Sequence, residues 1–303
     1  MELLISTLEQ GMIYGIMALG VYITYKILDF PDLTVDGSFP LGAAVTAVMI
    51  TNGIPAALAL PASFLAGAAA GALTGLIHVK LKVKDLLSGI IMMTALYTVN
   101  LRIAGRANLP FYKKPTVFDN GVVNGILGQT GVWQTAAVML VIVLAVKLVL
   151  DWYLKTGSGF LLRAVGDNPS IVTAMGQDRG KIKILGLSAA NGLVALSGSL
   201  FAQQQQFFEI SSGTGAVVIG LASVIIGTSL YQKLESIGKM SKCLYRVRIE
   251  MLTLSVLAGS VLYKGCISLA LRFSDPRGLK LITAVLLLVA LVVSRERKGK
   301  KNA

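Results

Sequence analysis

Residues Ile54–Val79 read IPAALALPASFLAGAAAGALTGLIHV, a run of 26 residues without Asp, Glu, Lys or Arg. A helix needs about 20 consecutive apolar residues to cross the hydrocarbon core of a bilayer. Gly67, Gly71 and Gly75 recur every four residues, so they share one helix face on which another backbone can approach closely. The run therefore predicts a transmembrane helix with a packing face of small residues.

The rest of the chain has the same character. Its 303 residues are 54% hydrophobic and only 14% charged, with a mean hydropathy of +0.73, whereas about 25% of residues in a soluble domain are charged. About nine runs are long enough to cross or half-cross a membrane, the second and seventh being short. They are Leu8–Leu28, Gly37–Thr51, Ile54–Val79, Leu86–Ala104, Val132–Leu150, Ile182–Gln203, Gly215–Leu230, Met251–Leu271 and Leu279–Val293. The predicted fold is all-α: a polytopic membrane helix bundle, with broken helices, that forms one domain over residues 1–303.

The basic residues predict the orientation. They cluster after the third run, between the fifth and sixth runs (155–183), between the seventh and eighth (233–248) and at the chain end (295–301). If about nine segments alternate, all four clusters share one side, which the positive-inside rule assigns to the cytoplasm. The N-terminus is then outside and the C-terminus cytoplasmic, with Arg106, Lys113 and Lys114 as an exception on the outer side. The net charge of +13 is explained in this way, and no nucleic-acid partner is expected, because no basic run is interleaved with aromatic residues.

Two stretches interrupt the apolar pattern. DFPDLTVDGSFPLG (Asp29–Gly42) and FFEISSGTGAVVIG (Phe207–Gly220) each place a polar, Gly-rich break before a short helix. Paired breaks in the two halves of a chain indicate a transport path, but Asp36 and Thr214 could also simply cap the helices that follow them. The two interpretations are compatible, and both stay open.

Lys264 lies inside the apolar stretch LSVLAGSVLYKGCISLALRF. A charge in such a place usually faces a cavity or a partner, although a lysine can also extend to the membrane surface along its own stem. Together with the two breaks, it gives a set of candidate residues for a substrate path: Asp32, Thr34, Asp36, Ser38, Glu209, Ser212 and Lys264.

The polar stretch LLRAVGDNPSIVTAMGQDRGKIK (Leu161–Lys183) has a helical pattern of its own. Asn168 is a good N-cap, Pro169 suits the first helical position, and apolar residues follow. Isolated helices shorter than about 12 residues are marginal in water. This short helix therefore needs a partner groove or a lipid surface on which to rest.

Catalytic and metal-binding patterns are missing from the sequence. The single histidine allows no Ser-His-Asp set or metal cluster. The stretch GQDRGK (Gly176–Lys181) imitates a phosphate loop, but its spacing is one residue short and Ile182 replaces the Ser or Thr that holds magnesium. The chain is therefore not expected to be an enzyme or to need a cofactor or metal, and energy for transport must come from a separate ATPase or an ion gradient.

Several stretches carry a family resemblance. Residues Gly159–Gln205 with Gly215–Leu230, and Leu28–Ile50 with Leu73–Met93, are similar to the membrane subunits of bacterial ABC importers of the branched-chain amino acid and ribose group. The tail GSVLYKGCISLALRFSDPRGLKLITAVLLLVALVV most resembles the permeases that work with a tryptophan/tyrosine-type substrate-binding lipoprotein. The most specific part is the segment Arg163–Gly176, which in this family forms the coupling helix that docks on the ATPase.

The resemblance implies a permease in the bacterial cell membrane that conducts a small solute, with an amino acid favoured. It implies three partners: an ABC ATPase subunit, an extracytoplasmic substrate-binding lipoprotein and a second permease copy, for which a homodimer is favoured. Within a cytoplasmic coupling segment at 155–183, the residues implied in coupling to the ATPase are Arg163, Ala164, Gly166, Asp167, Asn168, Ala174 and Gly176.

Two points remain open at this stage. In the alternative function, a gradient-driven secondary transporter, Asp29, Asp32, Asp36, Glu209 and Lys264 would bind coupling ions. The basic loop Tyr231–Glu250 has no clear role, and a second contact with the ATPase or with anionic membrane lipids is open for it.

The orientation can be tested with single cysteines. Cysteines at Gly176 or Lys181 should react with membrane-impermeant reagents only after the cell is opened, whereas a cysteine at Ser212 should react from outside. Labelling of intact and opened cells measures this. The reverse pattern would contradict the orientation derived from the basic clusters.

Overall fold

The computed structural model describes residues 2–119, 132–236, 245–273, 283–285 and 287–288, and these form a helical bundle. Its ten helices of defined bounds are α1 (Glu2–Val21), α2 (Val35–Thr51), α3 (Ala56–Lys80), α4 (Asp85–Ala104), α5 (Val132–Lys155), α6 (Gly157–Asp167), α7 (Pro169–Ala174), α8 (Arg179–Gln205), α9 (Ala216–Ser236) and α10 (Tyr245–Phe273). A π-helical turn, Tyr22–Ile27, extends α1, and the three-residue strands β1 (Asn108–Pro110) and β2 (Phe207–Glu209) pair antiparallel.

Seven of these helices in the described part of the chain are long and apolar enough to cross a membrane: α1, α3, α4, α5, α8, α9 and α10. Helix α2 is apolar but shorter. The predicted polytopic helical bundle is therefore confirmed. Most of the last predicted run, Leu279–Val293, lies outside the described residues. The basic loop Tyr231–Glu250 is partly helical, because α9 continues to Ser236 and α10 begins at Tyr245.

Helix α8 lies at the centre of the bundle, and α3 packs antiparallel along it. An ideal Cβ on Gly71 would lie 2.1 Å from the Leu187 carbonyl oxygen, and one on Gly67 would lie 2.4 Å from that of Asn191. Gly75 meets Ile184 one turn further along. The predicted small-residue face of this run is thus the contact surface with α8.

Helix α2 packs on α8 by a reciprocal version of the same contact. A Cβ on Gly42 would lie 1.8 Å from the carbonyl oxygen of Ala195, and a Cβ on Gly198 would lie 1.9 Å from that of Phe39. Thr46 then donates a hydrogen bond of 2.6 Å to Ser199. Each helix therefore presents a glycine to the backbone of the other, and small hydroxyls complete the seam.

The contacts at the two ends of the bundle fix the relative directions of the helices. At one end, Lys183 lies 3.2 Å from His78, and Lys155 forms an ion pair with Glu250. At the other end, β1 pairs with β2, and Glu9 near the N-terminus bonds Gln204 at the end of α8. The first two basic clusters and the start of α10 thus share one end, and the N-terminus lies at the other, as predicted. The cluster at 295–301 lies outside the described residues, and the side of the membrane that each end faces stays a prediction.

The outer surface of the bundle is apolar where a lipid environment is expected. Along α5, for example, Val141, Leu148 and Val149 are at least 65% exposed. Trp133 and Trp152 mark the two ends of this helix and are also exposed. At 1.5 Å per residue they lie about 28 Å apart, close to one hydrocarbon thickness, which suits the interfacial preference of tryptophan.

The close contact of α2 and α8 predicts that Gly42→Ala destabilises the protein. The added methyl group would push against the Ala195 carbonyl, and such overpacking typically costs about 1–3 kcal/mol. Gly265→Ala in α10 is the matched control, because nothing lies within 4 Å of a Cβ there. Thermal unfolding of both variants in detergent measures the difference. An equal melting temperature for the two would contradict the packing of α2 on α8.

Candidate functional site

The first break in the apolar pattern folds into the interior of the bundle. The Asp32 carboxylate accepts hydrogen bonds from the Thr34 backbone N–H (2.8 Å) and from Asn191 Nδ2 (2.7 Å). Ser38 donates to the other side-chain atom of Asn191, Oδ1, at 2.7 Å, and the Thr34 hydroxyl lies 3.0 Å from that of Thr74. This network ties the break to α8 and α3.

Asp32, Thr34 and Ser38 are all buried. Three of the residues predicted for a substrate path therefore hold the broken segment in place inside the protein.

Asp36 joins the first break to the second. Its carboxylate accepts hydrogen bonds from the backbone N–H groups of Gly215 (3.1 Å) and Val217 (2.8 Å) at the start of α9. Gly215 has φ +82°, and a Cβ on Gly213 would lie 2.1 Å from the Asp36 carbonyl oxygen. The N-termini of α2 and α9 thus meet at one carboxylate.

Of the two interpretations left open for Asp36, capping of its own helix α2 is not observed, because the N-cap position of α2 is Thr34, which makes no side-chain cap bond. Asp36 reaches instead to a helix 180 residues further along the chain. Thr214, the other predicted cap, donates its hydroxyl hydrogen to the Ser211 carbonyl.

A cavity of about 430 Å³ opens where the two breaks meet. Its lining comes from α2, from α4, from the 3-10 turn Ile210–Gly213 that follows β2, and from the next residue: Asp36, Gly37, Pro40, Met93, Thr94, Tyr97, Asn100, Ile210, Ser211 and Thr214. The volume lies within the usual range for small-molecule pockets, about 300–1,000 Å³. We refer to it as the junction cavity.

Polar groups in and beside the junction cavity have free bonding capacity. Asn100 donates to the Gly37 carbonyl at 3.0 Å, but its Oδ1 has no hydrogen-bond partner among the described residues. The Ser212 hydroxyl, next to the lining residue Ser211, is likewise without a partner there. Buried polar groups are almost always bonded, so these two unbonded atoms are candidates for contact with a solute.

The remaining predicted path residues lie elsewhere. Glu209 is exposed on β2 and accepts a hydrogen bond from Ser211. Lys264 places its Nζ 3.7 Å from the ring centre of Tyr14, a cation–π contact, and that ring stacks on Phe39. Of the seven predicted path residues, only Asp36 lines the junction cavity, with Ser212 beside it.

The predicted coupling residues divide into two groups. Arg163 is bonded to the carbonyl oxygens of Leu154 and Gly159, Ala164 is half-buried, and Gly166 packs so closely that a Cβ would lie 1.8 Å from the Ile27 carbonyl oxygen. These residues attach α6 to the bundle.

The second group forms an exposed surface. Asp167 ends α6, and the Asn168 side chain accepts a hydrogen bond of 3.1 Å from the Ser170 N–H, which confirms it as the cap of α7. Ala174 ends α7, and Gly176 follows with φ +74°. Val172 is buried, whereas Ile171 and Met175 are more than half exposed.

Some structurally important residues were not predicted. Lys147 forms a buried ion pair with Asp151 one turn later in α5, and Asp151 also accepts a bond of 2.7 Å from Thr253 in α10. The sequence did contain a signal for this pair, since Lys147 and Asp151 are opposite charges four residues apart at the end of an apolar run. Asn191 and Asn100 are similar, each being a buried amide within an apolar stretch of a helix.

Comparison with known proteins gives a consistent result. Residues 3–293 match the family model described as branched-chain amino acid transport system / permease component. The chain is 42% identical to the tyrosine transport system permease protein of Clostridioides difficile, over 95% of this chain and 90% of that one. It is 29% identical to the ribose import permease protein RbsC of Escherichia coli, over 75% and 70% of the two chains.

The chain is 28% identical to the probable branched-chain amino acid transport permease protein LivH of Methanocaldococcus jannaschii, over 73% of each chain. No solved structure matches the chain. The bundle of spanning helices and the match over nearly the full length lead to one conclusion. The chain belongs to the family of branched-chain amino acid transport system permease components, the membrane subunits of ABC importers.

Proposed function

We propose that this permease conducts an amino acid with an aromatic side chain, and that the junction cavity forms part of its path. The observation that carries the proposal is the meeting of the two broken segments at Asp36, beside a cavity with unbonded polar atoms. Broken helices that meet within a bundle are typical of transport sites. The relative that transports tyrosine, by its name, is 42% identical to this chain.

The lining of the junction cavity suits a solute of that kind. Tyr97, Met93 and Pro40 offer an aromatic ring, a thioether and an aliphatic ring to an apolar side chain. Asn100 Oδ1 and the hydroxyls of Ser211 and Thr214 offer hydrogen bonds to polar groups. The cavity can therefore offer apolar contacts to the apolar part of an amphipathic solute and hydrogen bonds to its polar part.

We further propose that the exposed surface from Asp167 to Gly176 docks on the ATPase subunit. Helix α7 has six residues and is too short to be stable alone. Its buried Val172 anchors it, while Ile171 and Met175 present an apolar edge to the outside of the subunit. A partner groove would cover that edge.

The remaining parts of the assembly follow from this arrangement. Two ATPase subunits need two docking surfaces, so the permease is proposed to act as a homodimer. The substrate-binding lipoprotein would deliver the solute at the end of the bundle that carries the N-terminus and the β1–β2 pair. Membrane lipids would cover the apolar faces of α4 and α5.

The proposed path predicts that a blocked junction cavity stops transport. In a chain whose two cysteines are replaced by serine, Thr94→Cys places a thiol in the cavity lining. Modification with a bulky maleimide should remove most tyrosine uptake into proteoliposomes that contain the ATPase and the binding protein, and bound tyrosine should slow the modification.

The control is Val141→Cys on the lipid-facing side of α5, where Val141 is 66% exposed. Its modification should leave uptake unchanged. If the labelled Thr94→Cys protein transports normally, the cavity is not part of the path.

The proposed docking surface predicts that Ala174→Trp weakens ATPase binding. A large side chain would overpack the docking groove, at a typical cost of about 1–3 kcal/mol, which corresponds to about a tenfold to hundredfold loss of affinity. Uptake and partner-dependent ATP hydrolysis should fall together, and the permease should still insert because α7 lies outside the spanning helices. Ala174 is a cleaner position than Gly176, whose positive φ would strain any side chain.

Native mass spectrometry of the assembled transporter measures how many ATPase subunits are bound. The wild-type complex is the reference, and it should contain two permease copies. Ser158→Trp at the exposed start of α6 is the control and should keep full occupancy. Normal ATPase binding by Ala174→Trp would show that α7 is not the docking element.

A further inference from the structure

A second polar pocket, of about 670 Å³, lies at the end of the bundle that carries the N-terminus. Its described lining comes from α1, α5, the end of α8 and the segment 116–119: Glu9, Thr116, Phe118, Asp119, Gln134, Thr135, Gln203, Gln204, Gln205 and Gln206. We call it the acidic pocket. None of its lining residues lines the junction cavity.

Several side chains hold the walls of the acidic pocket in place. Gln203, which is 1% exposed, accepts a hydrogen bond of 3.0 Å from the Val117 N–H and donates one of 3.4 Å to the Ala56 carbonyl. Gln134 donates to the Phe118 carbonyl at 3.1 Å. The pocket is therefore a built feature of three helices and a loop that are bonded to one another.

Glu9 is the unusual member of this lining. It is only 6% exposed, and its Oε2 accepts a hydrogen bond of 2.8 Å from Gln204 Nε2. Its other oxygen, Oε1, has no hydrogen-bond partner among the described residues, and neither has Gln204 Oε1. Two adjacent side chains thus each leave an acceptor unused, where a buried acceptor normally costs free energy unless it is bonded.

The charge of the acidic pocket has one sign. Glu9 and Asp119 are the ionisable residues of the described lining, and it contains no Lys, Arg or His. Unused acceptors beside negatively charged side chains favour a ligand that donates hydrogen bonds and carries positive charge. A primary ammonium group has three donors and one positive charge, and charge-assisted hydrogen bonds of this kind are the stronger ones.

We propose that the acidic pocket binds the ammonium group of the amino acid, through Glu9 Oε1 and Gln204 Oε1, before the solute reaches the junction cavity. The identification of the ligand as an amino acid rests on the proposed function. The binding of an ammonium group rests on the pocket itself. The volume leaves room for the rest of the molecule, which a bare ion would not need.

The test is binding to the purified permease–ATPase complex without the binding protein. Three probes separate the groups of the ligand: tyrosine, tyramine, which lacks the carboxylate, and 3-(4-hydroxyphenyl)propionate, which lacks the ammonium group. Tyrosine and tyramine should bind to the wild type, and the third probe should not. Glu9→Gln keeps the size of the side chain but removes its charge, and should weaken tyramine binding by about tenfold or more, one decade in the dissociation constant.

Glu9→Asp, which keeps the charge, should retain most of the binding. Asp85→Asn is the control, because Asp85 is a half-buried carboxylate beside His78 at the opposite end of the bundle and lines neither cavity. If Glu9→Gln does not fold, Gln204→Met removes the second acceptor and carries the same expectation.

Equal tyramine affinities for the wild type and Glu9→Gln would overturn the proposal. Displacement of tyramine by sodium or potassium ions at matching concentrations would also overturn it, by showing an alkali-cation site. If the wild type binds tyramine through Glu9 but imports no tyrosine, the ammonium site is supported and only the proposed substrate is refuted.

Discussion

The rest of the structure depends on one constraint: the backbone N–H groups of its broken segments need acceptors where water is scarce. Away from water and other protein, such groups would cost several kcal/mol each. Asp36 supplies an acceptor to Gly215 and Val217, and Asp32 supplies one to Thr34. The aspartates that interrupt the apolar sequence are therefore what allows the chain to stop and restart its helices within the bundle.

The same constraint explains why small residues surround the two breaks. A carboxylate can reach the N-terminus of another helix only if the helices approach closely. Gly42 and Gly198 let α2 lie against the backbone of α8, and Gly213 lets the turn before α9 lie against the Asp36 carbonyl. In a membrane, where apolar burial does not drive helices together, close backbone contact and hydrogen bonds are the main sources of association. Glycine spacing and polar breaks are thus two parts of one packing scheme.

Much of the fold could be predicted from the sequence, because long apolar runs and basic loops are local signals. The helix predicted at Ile54–Val79 forms as α3, and its glycine face meets α8. Asn168 and Pro169 start α7 because capping involves only neighbouring residues. These features require no knowledge of where distant parts of the chain lie.

The contacts of the candidate site could not be predicted in the same way, because they join distant positions in the sequence. Local capping rules offered α2 as one possible partner for Asp36, and only the folded chain shows that its partner is α9. The path role of Asp32 and Ser38 stays a prediction, whereas their bonds to Asn191, about 150 residues later, could not be predicted from the sequence. Lys264 was correctly seen as unusual, yet its partner is the face of Tyr14, and no charge pattern in the sequence could indicate that ring.

Gly166 shows how α6, which precedes the proposed docking surface, is joined to the candidate site. The backbone of Gly166 lies against the Ile27 carbonyl at the end of the π-helical turn. The residue after Ile27, Leu28, packs against Gly186 of α8. A π-turn is a frequent feature of functional positions in helices. From this joint the chain runs through Phe30, which contacts His78, to Asp32 and then to Asp36. A side chain at position 166 would push α6 away from Ile27 and so from this series of contacts. Gly166 therefore belongs to the connection between α6 and the bundle, whereas the surface available to a partner begins at Asp167.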